Sequence, residues 1–316
     1  MVQVVLNRRT ALVSGFAGLL FAESAAAAEI ATTTGSRIPP DMGRQYIPPT
    51  SLSTIADNYK RMTAPVMVNG AGPFPFIVDT GANQSVISDT LAVQLGLVFG
   101  PLQALNGVAG VMSAPSTSAD LIIGSRQERA VPLSILPQEG IGGAGLLGLD
   151  RLDGQTLSLD FGKGEIRISR RASRDISDVS VHARRRSGQL TLLDAHLAGI
   201  KITAFLDSGA QSTIGNMALR EEAILRNPKS IWTRMPILSA TGQTIEADFA
   251  DLPALRLGGM NLPNWPVAFA DLHTFRLWDL INKPAILVGV DIMSRFEQVR
   301  LDFEHDEVSF RLPRRA

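Results

Sequence analysis

The sequence contains no cysteine and carries no excess of charge, with 30 basic and 30 acidic side chains in 316 residues. Disulfides, thiol nucleophiles and thiolate metal sites are therefore excluded. The balanced charge creates no overall field that would attract nucleic acid or an anionic membrane surface. The histidines lie far apart in sequence, without the spacing of a metal-binding motif. We therefore expect no metal and no other cofactor, and the four histidines are His182, His196, His273 and His305.

Apolar residues make up 45% of the chain and charged residues 19%, an ordinary balance for a soluble protein. A chain of this length is too long for one small domain. It suits two lobes, each able to bury a core of its own.

The first 28 residues read as an export signal. Arg8 and Arg9 precede an apolar run over residues 11–22, and small residues up to Ala28 offer a cleavage site. The run is short for a bilayer span, so we favour a signal peptide over a membrane anchor and expect no stable membrane insertion after cleavage. The arginine pair fits a twin-arginine signal, but Ala11 stands where that signal has a bulky apolar residue, so Sec export stays open. Either signal predicts a periplasmic or secreted protein in a bacterial host.

One phrase occurs twice in the remaining chain. It reads "FIVDTGANQSVIS" at residues 76–88 and "AFLDSGAQSTIG" at residues 204–215. In each copy an apolar run leads into Asp, a hydroxyl residue, Gly and Ala. A second hydroxyl residue follows six positions after the Asp.

The sequence downstream of each phrase is also repeated. "GLLGLD" at residues 145–150 returns as "LVGVD" at residues 287–291, and each is followed by a similar pair of apolar strands. Landmarks in the same order indicate two copies of one unit, roughly 60–170 and 188–312. The predicted divisions are a signal peptide (1–28), an N-terminal arm or removable pro-segment (29–60), a first lobe (61–170), a linker (171–188) and a second lobe (189–316).

The units are predicted to be mostly β. Apolar and more polar residues alternate over residues 200–206, as in a half-buried strand. Short helical segments are expected after each Asp phrase, at residues 89–97 and 216–227. The linker is basic and polar, and we expect a solvated connection that can include an outer strand.

Asp79 and Asp207 each end an apolar strand, where a carboxylate is costly to bury unless its neighbours satisfy it. The glycine two positions later permits close approach of another backbone. Two such loops could bring the carboxyls together about a pseudo-twofold axis. Two carboxyls within hydrogen-bond reach share one proton, so one can act as a base towards water while the other polarises a carbonyl.

These motifs resemble the retropepsin-like aspartic proteases, in which Asp-Thr/Ser-Gly carries the catalytic Asp and an apolar-apolar-Gly strand passes beside it. The resemblance covers nearly all of residues 60–312. It implies a mostly β, two-lobed acid-protease barrel fold with a pseudo-twofold axis and a short helix per lobe. Carried over, the catalytic pair is Asp79 and Asp207, its support is Thr80, Gly81, Ala82, Ser208, Gly209 and Ala210, and the supporting strands are Leu146, Leu147, Gly148, Leu287, Val288 and Gly289.

The resemblance implies an aspartic endopeptidase that binds an extended peptide or protein segment as an added strand. Because both halves lie on one chain, it implies a monomer that is an internal pseudo-dimer. Two other interpretations stay open. One is a non-catalytic periplasmic peptide-binding protein on the same fold, and the other is a site formed between two chains.

The chain departs from the family pattern beside the Asp loops. Asn83 and Gln211 stand where retroviral enzymes have an Asp that helps to hold the substrate backbone. Ala82 and Ala210 replace the Ser or Thr whose hydroxyl stabilises the carboxylate in pepsin-like enzymes. We therefore expect less depressed pKa values for the pair and a mildly acidic pH optimum.

The family closes its cleft with a β-hairpin flap. Candidate hairpins lie at residues 104–114 and 238–247, and an ordinary surface hairpin is the alternative for each. Neither contains the tyrosine found in the flap of pepsin-like enzymes. The candidate flap residues are Asn106, Gly107, Val108, Gly110, Thr241 and Gly242.

Overall fold

The computed structural model describes residues 61–152, 155–169, 178–186, 189–257 and 260–313, together with two short strands at residues 19–20 and 50–53. The strands are β1 (Leu19–Leu20), β2 (Thr50–Ser53), β3 (Thr63–Val68), β4 (Ala71–Val78), β5 (Val86–Ser88), β6 (Leu102–Gly107), β7 (Gly110–Ile123), β8 (Arg126–Leu136), β9 (Gly145–Leu147), β10 (Thr156–Asp160), β11 (Glu165–Ser169), β12 (Val179–Arg186), β13 (Gln189–Leu197), β14 (Ile200–Leu206), β15 (Ile214–Gly215), β16 (Thr233–Leu238), β17 (Thr244–Leu257), β18 (Met260–Phe269), β19 (Ala285–Val288), β20 (Gln298–Asp302) and β21 (Glu307–Arg311).

In the ranges just given, five short α-helices accompany these strands, namely α1 (Asp89–Gln94), α2 (Gln138–Ile141), α3 (Met217–Arg226), α4 (His273–Leu277) and α5 (Val290–Met293). The predicted helices after the Asp phrases are confirmed as α1 and α3. Helix α1 ends earlier than expected because Gly96 adopts a left-handed conformation just beyond it. Helix α3 begins after Asn216, whose side chain accepts a hydrogen bond from the N–H of Leu219.

The fold is mostly β: of the residues that the structure describes, 54% are in strands and 14% in helices, and each half forms a six-stranded barrel. The predicted two-lobed retropepsin-like fold is confirmed. Strands β9 and β19 contain only buried residues, as their uninterrupted apolar sequences require, whereas β7 and β17 alternate between buried and more exposed residues.

A sheet between the lobes joins the two halves. Strand β10 of the first unit pairs antiparallel with β20 of the second, and the order β12–β21–β20–β10–β11–β2 continues on both sides. The closing hairpins of the two units therefore complete one shared sheet. The segment predicted as a linker contributes β12, which has a paired neighbour on each side, β13 and β21.

The same arrangement of strands positions both Asp phrases. Strand β4 runs parallel to β9 and ends at Val78, opposite Leu147. Strand β14 runs parallel to β19 and ends at Leu206, opposite Val288. Each Asp thus leaves its strand beside the apolar-apolar-Gly segment of its own lobe, and the backbone N–H of each Asp donates to the carbonyl of the residue before that glycine, Leu147 or Val288.

The predicted signal peptide, the N-terminal arm and much of the linker lie outside the described residues, apart from the short strands named above. Within the described part of the chain, no helix is both long and apolar enough to cross a membrane.

Candidate active site

Both Asp side chains lie at the junction of the lobes and are fully buried, with 0% of each exposed. Asp79 Oδ1 accepts hydrogen bonds from the N–H groups of Gly81 and Ala82, at 2.8 and 3.0 Å. Asp207 Oδ1 accepts from the equivalent two N–H groups of its own loop, at 3.0 and 3.1 Å. Each loop therefore satisfies one oxygen of its own carboxyl. The two Oδ2 atoms are buried and accept no hydrogen bond from an N–H or O–H group of the described chain.

Each carboxyl lies directly against the glycine of the opposite loop. A Cβ atom built on Gly81 would lie 2.4 Å from Asp207 Cγ, and one built on Gly209 would lie 2.4 Å from Asp79 Cγ. No side chain fits in either place. The absence of a Cβ at these two positions is what allows the loops to approach until their carboxyls meet.

Hydroxyl groups bind the two loops to each other. Thr80 Oγ1 donates to the carbonyl of Leu206 at 2.7 Å and accepts from the N–H of Ser208 at 3.0 Å. Ser208 Oγ donates to the carbonyl of Val78 at 2.7 Å and accepts from the N–H of Thr80 at 3.0 Å. These four bonds cross between the lobes and are all buried. The structure brings the hydroxyl residues together as the sequence analysis expected.

Replacing Thr80 with Val is expected to lower the free energy of unfolding by about 2–4 kcal/mol, because it leaves the buried carbonyl of Leu206 and the N–H of Ser208 without partners. Urea denaturation followed by circular dichroism measures the change. Thr80→Ser retains the hydroxyl and serves as the control. Equal losses in the two variants would contradict a role for the hydroxyl.

Each Asp loop also donates hydrogen bonds to a second carboxylate, and the sequence analysis did not identify these carboxylates as site residues. In the first lobe the second carboxylate is Asp150. Asp150 Oδ1 accepts from the N–H of Ser85 at 3.1 Å and from Ser85 Oγ at 2.8 Å. Ser85 Oγ in turn accepts from the N–H of Gly148 at 3.0 Å. This chain of bonds ties the Asp loop to the supporting strand. Both residues stood in the repeated motifs, since Ser85 is the second hydroxyl residue after Asp79 and Asp150 is the Asp of "GLLGLD".

The second lobe has the same support. Thr213 Oγ1 donates to Asp291 Oδ1 at 2.7 Å and accepts from the N–H of Gly289 at 3.1 Å. Trp265 Nε1 adds a bond to Asp291 Oδ2 at 3.3 Å. Burial raises the pKa of Asp291, whereas these donors lower it. Both supporting glycines also fit tightly, since a Cβ on Gly148 or Gly289 would lie 2.7–2.8 Å from the backbone of the Asp loop.

The electrostatics of the central pair favour a shared proton. Burial raises the pKa of Asp79 well above its usual value, and the neighbouring Asp207 raises it further. Burial also raises the pKa of Asp207, to about 7, against the lowering effect of its backbone donors. Each carboxyl lies against the glycine of the other loop, so the two acidic groups are neighbours. The pair therefore holds at least one proton at weakly acidic pH, as an acid and a base acting together require.

Two family models match the chain, one in each lobe. Residues 64–153 match the family described as "gag-polyprotein putative aspartyl protease", and residues 193–292 match the family described as "Aspartyl protease". Each matched stretch contains one of the two Asp loops. The chain belongs to the retropepsin-like aspartic protease family. The two units of this aspartic protease are consecutive, and family membership indicates a hydrolase that acts on peptides. No curated protein matches the chain significantly.

The polar residues expected to contact substrate, Asn83 and Gln211, each lie two positions after the glycine of an Asp loop. Gln211 is buried and Asn83 is half-buried. Asn83 Oδ1 and Gln211 Nε2 have no hydrogen-bond partner in the described chain. Both amides in this aspartic protease therefore retain bonding capacity.

Both candidate flaps are hairpins. The first is formed by β6 and β7, with its tip at residues 106–110, and the second by β16 and β17, with its tip at residues 239–243. Gly110 and Gly242 have positive φ angles of 139° and 78°, which explains glycine at these turns. Gly107 lies against Thr241, because a Cβ at Gly107 would be 2.7 Å from Thr241 Cγ2. The two tips therefore touch.

No metal centre accompanies the carboxyl pair in the described ranges, where no three His, Asp or Glu side chains come together as a metal would require.

Proposed function

We propose that this protein is an aspartic endopeptidase whose catalytic groups are the carboxyls of Asp79 and Asp207. The observation that carries the proposal is the reciprocal placement of each carboxyl against the glycine of the opposite loop. This placement buries two carboxyls together, each with one oxygen satisfied by backbone N–H groups and one without a donor. A structural pair of aspartates would gain nothing from leaving both Oδ2 atoms without a donor.

In the proposed reaction, the ionised carboxyl accepts a proton from a water molecule as the water oxygen attacks the peptide carbonyl carbon. The protonated carboxyl donates its proton to the carbonyl oxygen, and a tetrahedral diol forms. Collapse of the diol returns a proton to the pair and transfers one to the departing nitrogen, so that an acid and an amine are released. The raised pKa values of both carboxyls keep the required single proton available.

The proposed substrate is an extended segment of peptide or protein. Strand-like binding fits a cleft bordered by two β-hairpins, since a peptide can form backbone bonds with them. Asn83 and Gln211 would then contact its backbone through their amides.

The shared sheet between the lobes supports a monomer as the active form, because one chain supplies both Asp loops. We propose a periplasmic or secreted location on the strength of the N-terminal sequence. Measurement of the mass in solution tests the monomer, and N-terminal sequencing of the exported protein tests the location. A dimer that dissociates with loss of activity would contradict the first, and an intact N-terminus in the cytoplasm would contradict the second.

The decisive experiment is cleavage of a diverse peptide library by the purified protein over about pH 3 to pH 8. The proposal expects cleavage within peptides, with cut sites defined by mass spectrometry. Binding of peptides without any cleavage would contradict an endopeptidase.

The pH profile is a further test. Activity is expected to be highest at mildly acidic to neutral pH, because burial raises both pKa values and the singly protonated pair is therefore reached at a higher pH than in exposed carboxyls. Below this range both carboxyls are protonated and the base is lost, so kcat/KM falls. Measurement of kcat/KM against pH checks this expectation. An optimum at about pH 2 would contradict it.

A further inference from the structure

The tip of the first hairpin reaches across to the second lobe. Val108 at this tip is only 1% exposed and belongs to an apolar cluster of the second lobe that includes Phe205, Leu272, Phe275 and Trp278. The tip is thus docked in the opposite lobe rather than held by its own.

Two polar contacts accompany this docking, and both involve His273. The N–H of His273, the first residue of α4, donates to the carbonyl of Val108 at 2.7 Å. A first helical residue has no acceptor within its own helix, so the hairpin supplies one. The His273 ring nitrogen Nε2 also lies 3.3 Å from Asn106 Oδ1. Asn106 is 5% exposed and His273 is half-buried, so this contact is partly shielded from water.

The second hairpin is docked in a different way. Ala240 at its tip is 1% exposed and belongs to the apolar cluster of the first lobe. Its carbonyl lies against Gly140 of α2, where a Cβ would be only 2.5 Å from the Ala240 oxygen. In the part of the chain that the structure describes, no backbone-to-backbone hydrogen bond joins residues 239–243 to α2. Packing holds the second tip, whereas polar contacts help to hold the first.

Together the tips close the cleft. They meet at Gly107 and Thr241, Val108 shares an apolar cluster with Ala210 of one Asp loop, and Ala240 shares another with Ala82 of the other loop. Both carboxyls are fully buried. A peptide cannot reach the pair until at least one tip moves. We propose that the Asn106–His273 contact holds the first tip closed, and that breaking this contact is the step that admits the peptide. The inference rests on the proposed function, because it concerns access to the same carboxyl pair.

Asn106→Ala tests the contact without altering residue 273. Hydrogen exchange at the His273 amide is expected to become about fivefold faster, the population change that follows from losing one hydrogen bond. The association rate constant of a fluorescent peptide rises by a similar factor, whereas kcat does not rise because the hairpin must still close over bound peptide. Asn106→Asp retains an acceptor oxygen for His273, so hydrogen exchange at the His273 amide is expected to stay as slow as in the native protein.

Arg276→Ala is the matched control. It changes an exposed side chain on α4 outside the contact, so exchange at His273 and peptide association stay unchanged. Unchanged exchange at His273 in Asn106→Ala would overturn the inference, and so would faster exchange without faster association. If the protein binds peptide but does not cleave it, the proposed function fails, while exchange and association still decide this inference.

The absence of cysteine permits a second test. A Cβ at Gly107 would lie 3.1 Å from Thr241 Oγ1, and Thr241 Cβ is one bond farther, close to the roughly 3.5–4.5 Å that a disulfide requires. The double variant Gly107→Cys, Thr241→Cys is expected to lose peptide binding on oxidation and regain it on reduction. Thr241→Cys alone, treated identically, is the control, because Gly107→Cys alone would place its Cβ 2.7 Å from Thr241 Cγ2. Undiminished peptide binding by the cross-linked form would show that the tips need not separate.

Discussion

Replacing Asp79 or Asp207 with Asn is expected to lower kcat/KM for peptide hydrolysis by at least about a thousandfold, because either change removes one of the two groups that move protons. Asn can still accept the two backbone N–H bonds that each Asp oxygen receives, so the loops should keep their conformation. Steady-state kinetics with a library-derived peptide measures the loss. Full activity in either variant would remove that residue from the proposed pair.

The same two variants should be more stable than the native protein at neutral pH, which separates loss of chemistry from loss of folding. The pKa of Asp207 is 3.8 in an ordinary setting and about 7 when folded. A carboxyl with a raised pKa opposes folding increasingly as the pH climbs from about 4 to 7, because the unfolded chain ionises first. Asp207→Asn is therefore expected to gain on the order of 3 kcal/mol near pH 7 and little near pH 4. Urea midpoints at the two pH values check this.

Adding one methyl group at the centre of the site is the other change with a large expected effect. Gly81→Ala places a Cβ 2.4 Å from Asp207 Cγ, and Gly209→Ala does the same to Asp79. The fixed loops cannot absorb such an overlap, so the carboxyls must move apart. We expect loss of at least about a hundredfold in kcat/KM, since misplacement by about 1 Å has that effect, together with a stability loss of about 1–3 kcal/mol.

Gly162→Ala is the appropriate comparison for these glycine variants. It lies in the turn between β10 and β11, and its added Cβ would meet Glu297 Cγ, which belongs to a flexible side chain that can move away. Its stability and kcat/KM should stay near those of the native protein. If Gly162→Ala were as harmful as Gly81→Ala, the crowding of the carboxyls would not explain the loss.

Much of the fold could be predicted from the repeat. Two copies of an Asp phrase, each with a downstream glycine strand, predicted two β lobes that meet at their Asp loops, and both helices after the phrases were found. The extent of the shared sheet could not be predicted, because β10 and β20 lie far apart in the chain and pair only once the lobes have met. Their sequences alternate like any half-buried strand and do not identify the partner.

The candidate site was predictable where residue type alone limits the geometry. Glycine at positions 81 and 209, with a hydroxyl residue before each, indicated closely approaching loops. The support from Asp150 and Asp291 was missed because an Asp after a strand more often ends a turn than receives a buried serine or threonine hydroxyl.

The sequence by itself determined the composition of the centre, namely two carboxyls, two glycines without side chains to separate them and no cysteine to offer another chemistry. Only the tertiary structure decided how that centre is covered. Asn106 and His273 are 167 positions apart, and neither stands in a motif that would pair them. Their contact depends on the first hairpin crossing to the opposite lobe, which results from burying Val108 in a cluster assembled by the folded chain.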